Sequence, residues 1–552
     1  MNRPARPMNK LLVSAALTLA GLLTAHGADP RPNVIVILSD DVGYSDLGCF
    51  GGEIATPNLD ALAAGGLRFT QFYNTARCCP TRASLLTGLY PHQAGVGYMT
   101  DRAPYSANTM INEWYAGDLR ADTATIGEVM RGAGYGTYAV GKWHVTKDIE
   151  EDASRHNWPL QRGFDRYYGI LRGASSFFKP PEITRDNRRV PFDADPDYPS
   201  TDFYLTDAFS DHAVRFVNDH ARQTPGRPFF LYLAYTAAHW PMHARPADIA
   251  KYAGKYDGGY EPVYRARLER MRKLGLIDPR WEIPTPVGDW SKVERKDWEA
   301  RCMEVYAAML DNMDQGIGRL IAALKANAQF ENTLILYLQD NGACAEPYGR
   351  GGGGGKAKAK GPLPMPGPAE SNVGYGEAWA NVSNVPFRLY KHWMHEGGIS
   401  TPLIAHWPRG IMRRGALEAT PGHLIDIMAT CVDVGRATYP KERDGRRVQP
   451  MEGRSLAPAF AGRPVEREAL FWEHEGNRAL RIGDWKLVAK DTAGPWELYD
   501  IAKDRTEMRN LAATHPEKLR EMIATWERWA VRTHAVPWPW KPAYPLGAGG
   551  AP

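Results

Sequence analysis

The chain has 552 residues, 43% apolar and 24% charged, which is ordinary globular composition. That excludes a wholly disordered chain, a collagen-like repeat and a small disulfide scaffold. The formal net charge is +4, and Arg3, Arg6 and Lys10 supply three of the positives at the extreme N-terminus, so the body is close to neutral and gives no electrostatic case for a nucleic-acid partner.

In chain order, the first segment reads as a leader. A basic start leads into an apolar run from 11 to 23, and Ala25-His26-Gly27 supplies a small-x-small cleavage pattern. Residues 1–27 are expected to be a secretory signal peptide whose apolar part is too short to span a bilayer. No cysteine follows the run to carry a lipid, so a periplasmic or secreted protein without a membrane anchor is expected. Of the six cysteines, Cys49, Cys302, Cys344 and Cys431 are scattered and Cys78-Cys79 are adjacent, which is no disulfide framework. In an oxidising compartment the adjacent pair needs partners elsewhere or a special role.

Short runs of Val, Ile, Leu and Tyr at 33–38, 136–140, 229–234, 333–338 and 401–405 predict buried strands of a mostly parallel sheet. Helical patterns at 57–65, 123–132 and 304–325 alternate with them. The fold class is α/β, a large mostly parallel sheet sandwiched by helices. The stretch 245–299, rich in charge, Pro and Trp, reads as an excursion from that core. The segment 350–368, with consecutive glycines, alternating lysines and then prolines, reads as a mobile loop. Past 463 come short alternating strands at 470–474, 479–482, 485–489 and 496–499, then an amphipathic helix at 516–532. The expected organisation is a signal peptide 1–27, a large α/β domain 28–463, a C-terminal subdomain 464–540 of antiparallel sheet plus helix, and a flexible tail 541–552.

Ligands of open α/β sheets bind at the carboxyl ends of the strands. The residues just past the predicted strands are Asp40-Asp41, Asp340-Asn341, Lys142 with His144, and His239. Three carboxylates and an amide form a hard, all-oxygen set that suits Ca²⁺ better than the strict octahedron of Mg²⁺. No thiolate–imidazole cluster has zinc spacing. Either acidic pair alone reads equally as a turn or helix cap; two pairs at corresponding strand ends point to a metal. Between them, Pro80 suits the first turn of a helix running to about residue 89, with Cys78 just ahead of its N-terminus. Free backbone N–H groups there attract an anion, and Arg82 adds a charged donor. On spacing alone, a buried cysteine beside a helix start fits as well.

The segment Cys78-Cys-Pro-Thr-Arg-Ala-Ser-Leu-Leu-Thr-Gly88 resembles the hallmark of the type I sulfatases, the formylglycine-dependent, arylsulfatase-like members of the alkaline phosphatase superfamily. The opening 32–46, Thr56-Pro-Asn-Leu-Asp60, Gly141-Lys-Trp-His144, Gln339-Asp-Asn-Gly342 and Lys391-His-Trp-Met-His-Glu-Gly-Gly398 resemble the same family. The resemblance implies an alkaline-phosphatase-like core in which a formylglycine-generating enzyme converts Cys78 to Cα-formylglycine, hydrated to a gem-diol. It implies that Asp40, Asp41, Asp340 and Asn341, with the modified Cys78, hold the metal, usually calcium. One diol oxygen would attack sulfur, while Arg82, Lys142 and Lys391 offset the charge on the sulfuryl oxygens. Lys142, His239 and Lys391 would hold the substrate, and His239 would protonate the departing alcohol or phenol. His144 would take the second diol proton, so that the adduct collapses to aldehyde and sulfate. The sequence departs from many relatives at Cys79, where they carry Ser.

Three readings stand at this point. One is a sulfuric ester hydrolase acting on aryl sulfates or sulfated carbohydrates. The second is a phosphonate monoester or phosphodiester hydrolase of the same superfamily, and the third an exported protein that binds sulfated glycans without turnover. His239 and the run through Glu396-Gly-Gly398 favour sulfate.

Overall fold

The computed structural model describes Met1 and residues 30–100, 112–199, 202–350 and 364–539. The leader after Met1, residues 351–363 of the expected mobile loop, and the tail expected at 541–552 lie outside the described residues.

The run at 33–38 forms β1 (Asn33–Ser39), with every residue buried. Its Ile35 and Ile37 enter one hydrophobic core, and Val34, Val36 and Leu38 enter another. A strand covered on both faces needs no polar side, which is why it reads as unbroken apolar sequence. In chain order the sheet continues with β2 (Leu67–Tyr73), β3 (Gly136–Lys142), β4 (Arg166–Ile170), β5 (Ile183–Arg185), β6 (Arg188–Val190), β7 (Phe229–Ala234), β8 (Thr333–Gln339), β9 (Ser400–His406), β10 (Ala416–Glu418) and β11 (Gly422–His423). The spatial order is β10-β2-β9-β8-β1-β7-β3-β4-β5-β6, with β11 beside β2. Pairs from β8 through β1, β7 and β3 to β4 are parallel.

β9 is antiparallel to both β2 and β8, so the strand expected at 401–405 does not share the direction of the central strands. Its amino end therefore meets their carboxyl ends, and the segment 391–398 leading into it arrives at the same rim.

Helices Pro57–Ala64, Leu205–Gln223 and Lys296–Ala326 cover one face; Cys78–Thr87, Ile126–Gly132 and Ile425–Val434 cover the other. The helix expected at 304–325 is longer than its apolar pattern, 31 residues beginning at Lys296. The stretch 245–299 is not detached from the core. It carries helices Pro246–Ala250 and Tyr260–Lys273, and Tyr252, Tyr256, Tyr264 and Met271 are buried in the first core.

After a hairpin of β12 (Glu442–Arg443) and β13 (Arg446–Arg447), a second sheet follows: β14 (Leu470–His474), β15 (Asn477–Ile482), β16 (Trp485–Ala489) and β17 (Glu497–Asp500), antiparallel throughout. Leu480, Leu487 and Leu498 pack on Met522, Trp526 and Trp529 of helix Pro516–Arg532. The opposite face, with Trp472, Ala479 and Val488, packs on Tyr73, Met394 and Ile399 of the large sheet and its rim. Across that joint, Lys486 Nζ lies 2.9 Å from Glu396 Oε1 and 2.8 Å from Glu507 Oε1, and Arg505 Nε donates to Glu396 Oε2 at 2.8 Å. No helix among the described residues is long and apolar enough to cross a membrane.

Candidate active site

β1 and β8 pair in register through Ser39 and Gln339, so the next residues, Asp40 and Asp340, emerge side by side. Asp340 N donates to Ser39 O at 3.1 Å. Asp41 follows at φ 57, a left-handed conformation that aspartate tolerates better than most residues. Lys142 ends β3, and the turn after β7 presents His239.

Cys78 is the first residue of helix Cys78–Thr87, one position further into the helix than its proline pattern implied, with Arg77 extended ahead of it. The helix ends at Thr87, where Gly88 takes φ 70. Thr81 ties its first turn to the rim, donating from Oγ1 to Asp340 O at 2.6 Å. Such a helix start presents unpaired N–H groups to an anion.

The expected residues converge. Lys142 Nζ donates to Asp40 Oδ2 at 2.7 Å; Arg82 donates to Asp340 Oδ2 at 2.8 Å and lies 3.4 Å from Asp40 Oδ2. Lys391 Nζ donates to both oxygens of Asp41, at 2.7 and 3.0 Å, and His239 Nε2 lies 3.5 Å from Asp41 Oδ2. Asn341 Nδ2 donates to Asp41 Oδ1 at 2.7 Å. Asp40, Arg82, Asp340 and Asn341 are completely buried. The ligand atoms of Cys78, Cys79 and His144 lie within 4.8 Å of one another. That thiol–imidazole group is assembled by the fold from two separate segments, so sequence spacing could not display it.

Burial pushes Asp340 up to about 7, and the charge of Asp40 adds to the effect. Burial also raises Asp40 beyond what Lys142 and Arg82 offset. For Asp41, Lys391 and His239 outweigh burial and hold the carboxyl below its usual value. Burial brings His239 down to about 4, with Asp41 opposing it, so the resting imidazole is neutral near pH 7. Burial would lower Lys391, yet Asp41 carries it well above its ordinary value. The Cys78 thiol sits well below its ordinary value through its hydrogen bond with Cys79, then the charges of Lys142 and His144.

Burial leaves the Asp40 and Asp340 carboxyls raised side by side, and a cation bound between them would favour their ionised forms. Asp40 Oδ1 and Asn341 Oδ1 are buried with no hydrogen-bond partner, an expensive state for two oxygens unless a cation takes them. The donor set is hard and oxygen-rich and fits a divalent cation such as Ca²⁺.

Sequence reading missed Glu346. Its Oε1 accepts from Arg77 at 2.8 Å and its Oε2 accepts from Trp240 Nε1 at 2.8 Å. Burial would raise it, but Arg77 and Lys391 hold it well below the ordinary range. The available signal was adjacency, since Arg77 precedes Cys78, Trp240 follows His239, and Glu346 lies five residues past Asn341. Cys49, Cys78, Cys302, Cys344 and Cys431 are free thiols, and the Cys79 sulfur lies 3.3 Å from Met99 Sδ and 3.8 Å from Tyr98 O.

Comparison with known proteins follows the same lines. The sulfatase family profile matches residues 32–436, and the profile for the N-sulphoglucosamine sulphohydrolase C-terminal region matches 387–528. An uncharacterized sulfatase of Schizosaccharomyces pombe is 33% identical over 92% of this chain and 94% of its own length. An arylsulfatase of Klebsiella aerogenes is 35% identical over 84% of this chain and 99% of its own. The crystal structure of Ps i-CgsB superposes with a TM-score of 0.65 at 26% identity, covering 93% of this chain and 94% of that one.

Proposed function

The chain belongs to the type I sulfatase family and is a sulfuric ester hydrolase, and from that premise we propose that it cleaves aryl sulfates or sulfated carbohydrates using Cys78, matured to formylglycine, and a Ca²⁺ ion. The observation that carries this reading is the convergence of Cys78, at a helix start, with a buried layer of three carboxylates and three cations. Asp40, Asp41, Asp340 and Asn341 would hold the ion, with the matured Cys78 as a further ligand. When bound, the ion supplies charge that stabilises the sulfuryl oxygens and the nucleophile.

The chain's own residues do the remaining work. Arg82, Lys142 and Lys391 are locked in place by carboxylates, so their charges need no reorganisation as negative charge develops on the sulfuryl group. Formylglycine supplies the nucleophilic oxygen that a thiol cannot. His144, grouped with Cys78, is the base beside it. His239 is neutral at rest, and an arriving sulfate ester opposes the effect of burial and favours its protonated form, which then hands a proton to the leaving oxygen. Maturation by a formylglycine-generating enzyme, export with removal of residues 1–27, and a division at about 463 between catalytic domain and C-terminal subdomain belong to the same proposal.

Mass spectrometry tests it directly. The tryptic peptide from Cys78 to Arg82, taken from protein made with the maturation machinery, should be about 18 Da lighter than the thiol form. The same sample should release sulfate from an aryl sulfate. An unshifted thiol in a sample that hydrolyses the ester would remove formylglycine from the account.

A further inference from the structure

Glu346 joins three of the segments that build the candidate active site. It lies five residues past Asn341 on the chain leaving β8, and its side chain is largely buried. Oε1 accepts from Arg77, directly ahead of Cys78, and Oε2 accepts from Trp240 Nε1, directly after His239, each at 2.8 Å. The charges of Arg77 and Lys391 keep the carboxyl ionised, so both oxygens accept and neither serves as a proton source.

The Trp240 side reaches the proposed proton donor. His239 Nδ1 lies 2.6 Å from Trp240 O. A carbonyl oxygen only accepts, so Nδ1 carries the hydrogen of the neutral ring. Nε2, 3.5 Å from Asp41 Oδ2, is then the nitrogen left to take up and deliver a proton. The Trp240 indole stacks on Tyr348 at 3.9 Å and 15° and meets the His239 ring at 4.5 Å and 45°. Its faces are occupied by the protein itself and its N–H is held by Glu346. An indole packed in this way keeps its own backbone carbonyl, and with it the His239 ring, in one place.

We propose that Glu346 is a positioning residue for proton delivery: by pinning the Trp240 indole it fixes the His239 ring in the tautomer whose Nε2 faces the leaving oxygen. This rests on the hydrolase reading, in which His239 protonates that oxygen. Glu346 touches no reacting atom. It acts through Trp240, and its grip on Arg77 ties the same anchor to the segment that carries the nucleophile.

The test is steady-state kinetics of the matured, metal-loaded full chain on esters of graded leaving-group acidity. Glu346→Gln leaves one acceptor oxygen where two are needed. It should lower kcat about tenfold on the ester with the least acidic leaving group that the wild type turns over. The loss should be much smaller on 4-nitrophenyl sulfate, whose phenolate leaves without a proton, and KM should hold for both. Trp240→Phe removes the N–H, keeps an aromatic ring and leaves the Arg77–Glu346 pair intact. It should reproduce the pattern, and it carries the test if Glu346→Gln fails to fold. In a His239→Ala background neither substitution should cost anything further, because no ring remains to be positioned. An unchanged kcat on the demanding ester overturns the proposal. So does a loss equal on every ester, or one that persists beside His239→Ala, since a merely structural role gives both.

Heteronuclear NMR of the full chain with isotope-labelled histidine, the His239 ring assigned through His239→Ala, reads the tautomer without turnover. The wild type should carry its hydrogen on Nδ1, and both variants should lose that bias. A Glu346-dependent tautomer in a protein that hydrolyses no ester would sink the hydrolase reading and leave the positioning role standing. A wild-type ring protonated on Nε2 alone, or a tautomer that both variants keep, would sink the positioning role.

Discussion

Besides Asn341, Asp41 has two titratable partners of different character: Lys391, paired with it at 2.7 Å, and His239, 3.5 Å away. Only the imidazole can exchange a proton near neutral pH, because Lys391 is held well above its ordinary value. His239 should therefore matter in proportion to how badly the leaving oxygen needs a proton. A phenol departs readily as its anion, whereas an alcohol does not. His239→Ala should cost about 10²- to 10⁴-fold in kcat on an alkyl or sugar sulfate and far less on 4-nitrophenyl sulfate. Parallel kcat measurements across esters of graded leaving-group acidity check this, and an equal loss on all of them would reduce His239 to a binding residue. Lys391→Met should be less selective. It removes charge from the sulfuryl side and leaves Asp41 buried with a weaker partner, so every ester should slow.

At the scale of elements, the large and small sheets meet through a buried ionic joint. Glu396, just ahead of β9, is ringed by Lys486 of β16 and by Arg505. Burial alone would raise Glu396, but these two cations bring it from 4.5 down to about 2. The unfolded chain therefore binds a proton on this carboxylate at a higher pH than the folded chain does. The stability it contributes is complete above about 4.5 and is lost as pH falls towards 2. Lys486→Met should cost about 3 kcal/mol, since it leaves Glu507 and one side of Glu396 without their buried cation, and should flatten that acid dependence. Urea titrations followed by tryptophan fluorescence, at neutral pH and at pH values inside the window, measure both.

What sequence could show also divides by element. β1, β7 and β8 were legible because burial on both faces leaves nothing but apolar residues. β2 was not, because its Arg68, Thr70 and Gln71 are only half buried and break the run. The direction of β9 was invisible too, since a fully buried strand reads alike whether parallel or antiparallel. The proposed metal ligands and the cations beside them stood out through position after strands and through the family motif. Glu346 had no motif, and only the fold places it between Arg77 and Trp240.

For the whole molecule, the proposed cation site joins segments 300 residues apart, since Asp41 and Asn341 are hydrogen-bonded across that separation. An ion bound there ties the β1 and β8 turns together and is coupled to global stability, by about 2.7 kcal/mol at a concentration one hundred times its dissociation constant. Chelation should therefore lower Tm, and Ca²⁺ should restore it more fully than Mg²⁺, which demands a stricter, smaller shell. The loss should also depend on pH. Without the ion, burial and Asp40 hold Asp340 near 7 against an ordinary 3.8, so between those values the folded chain binds more protons than the unfolded one. The stability of the ion-free protein then falls as pH rises from about 4 to 7. The ion removes this penalty by keeping Asp340 ionised, so the Tm difference between Ca²⁺-loaded and chelated protein should be larger at pH 8 than at pH 5.5. Thermal scans at the two pH values check it. Equal Tm values with and without chelator would mean that the buried oxygens of Asp40 and Asn341 are satisfied by something other than a cation.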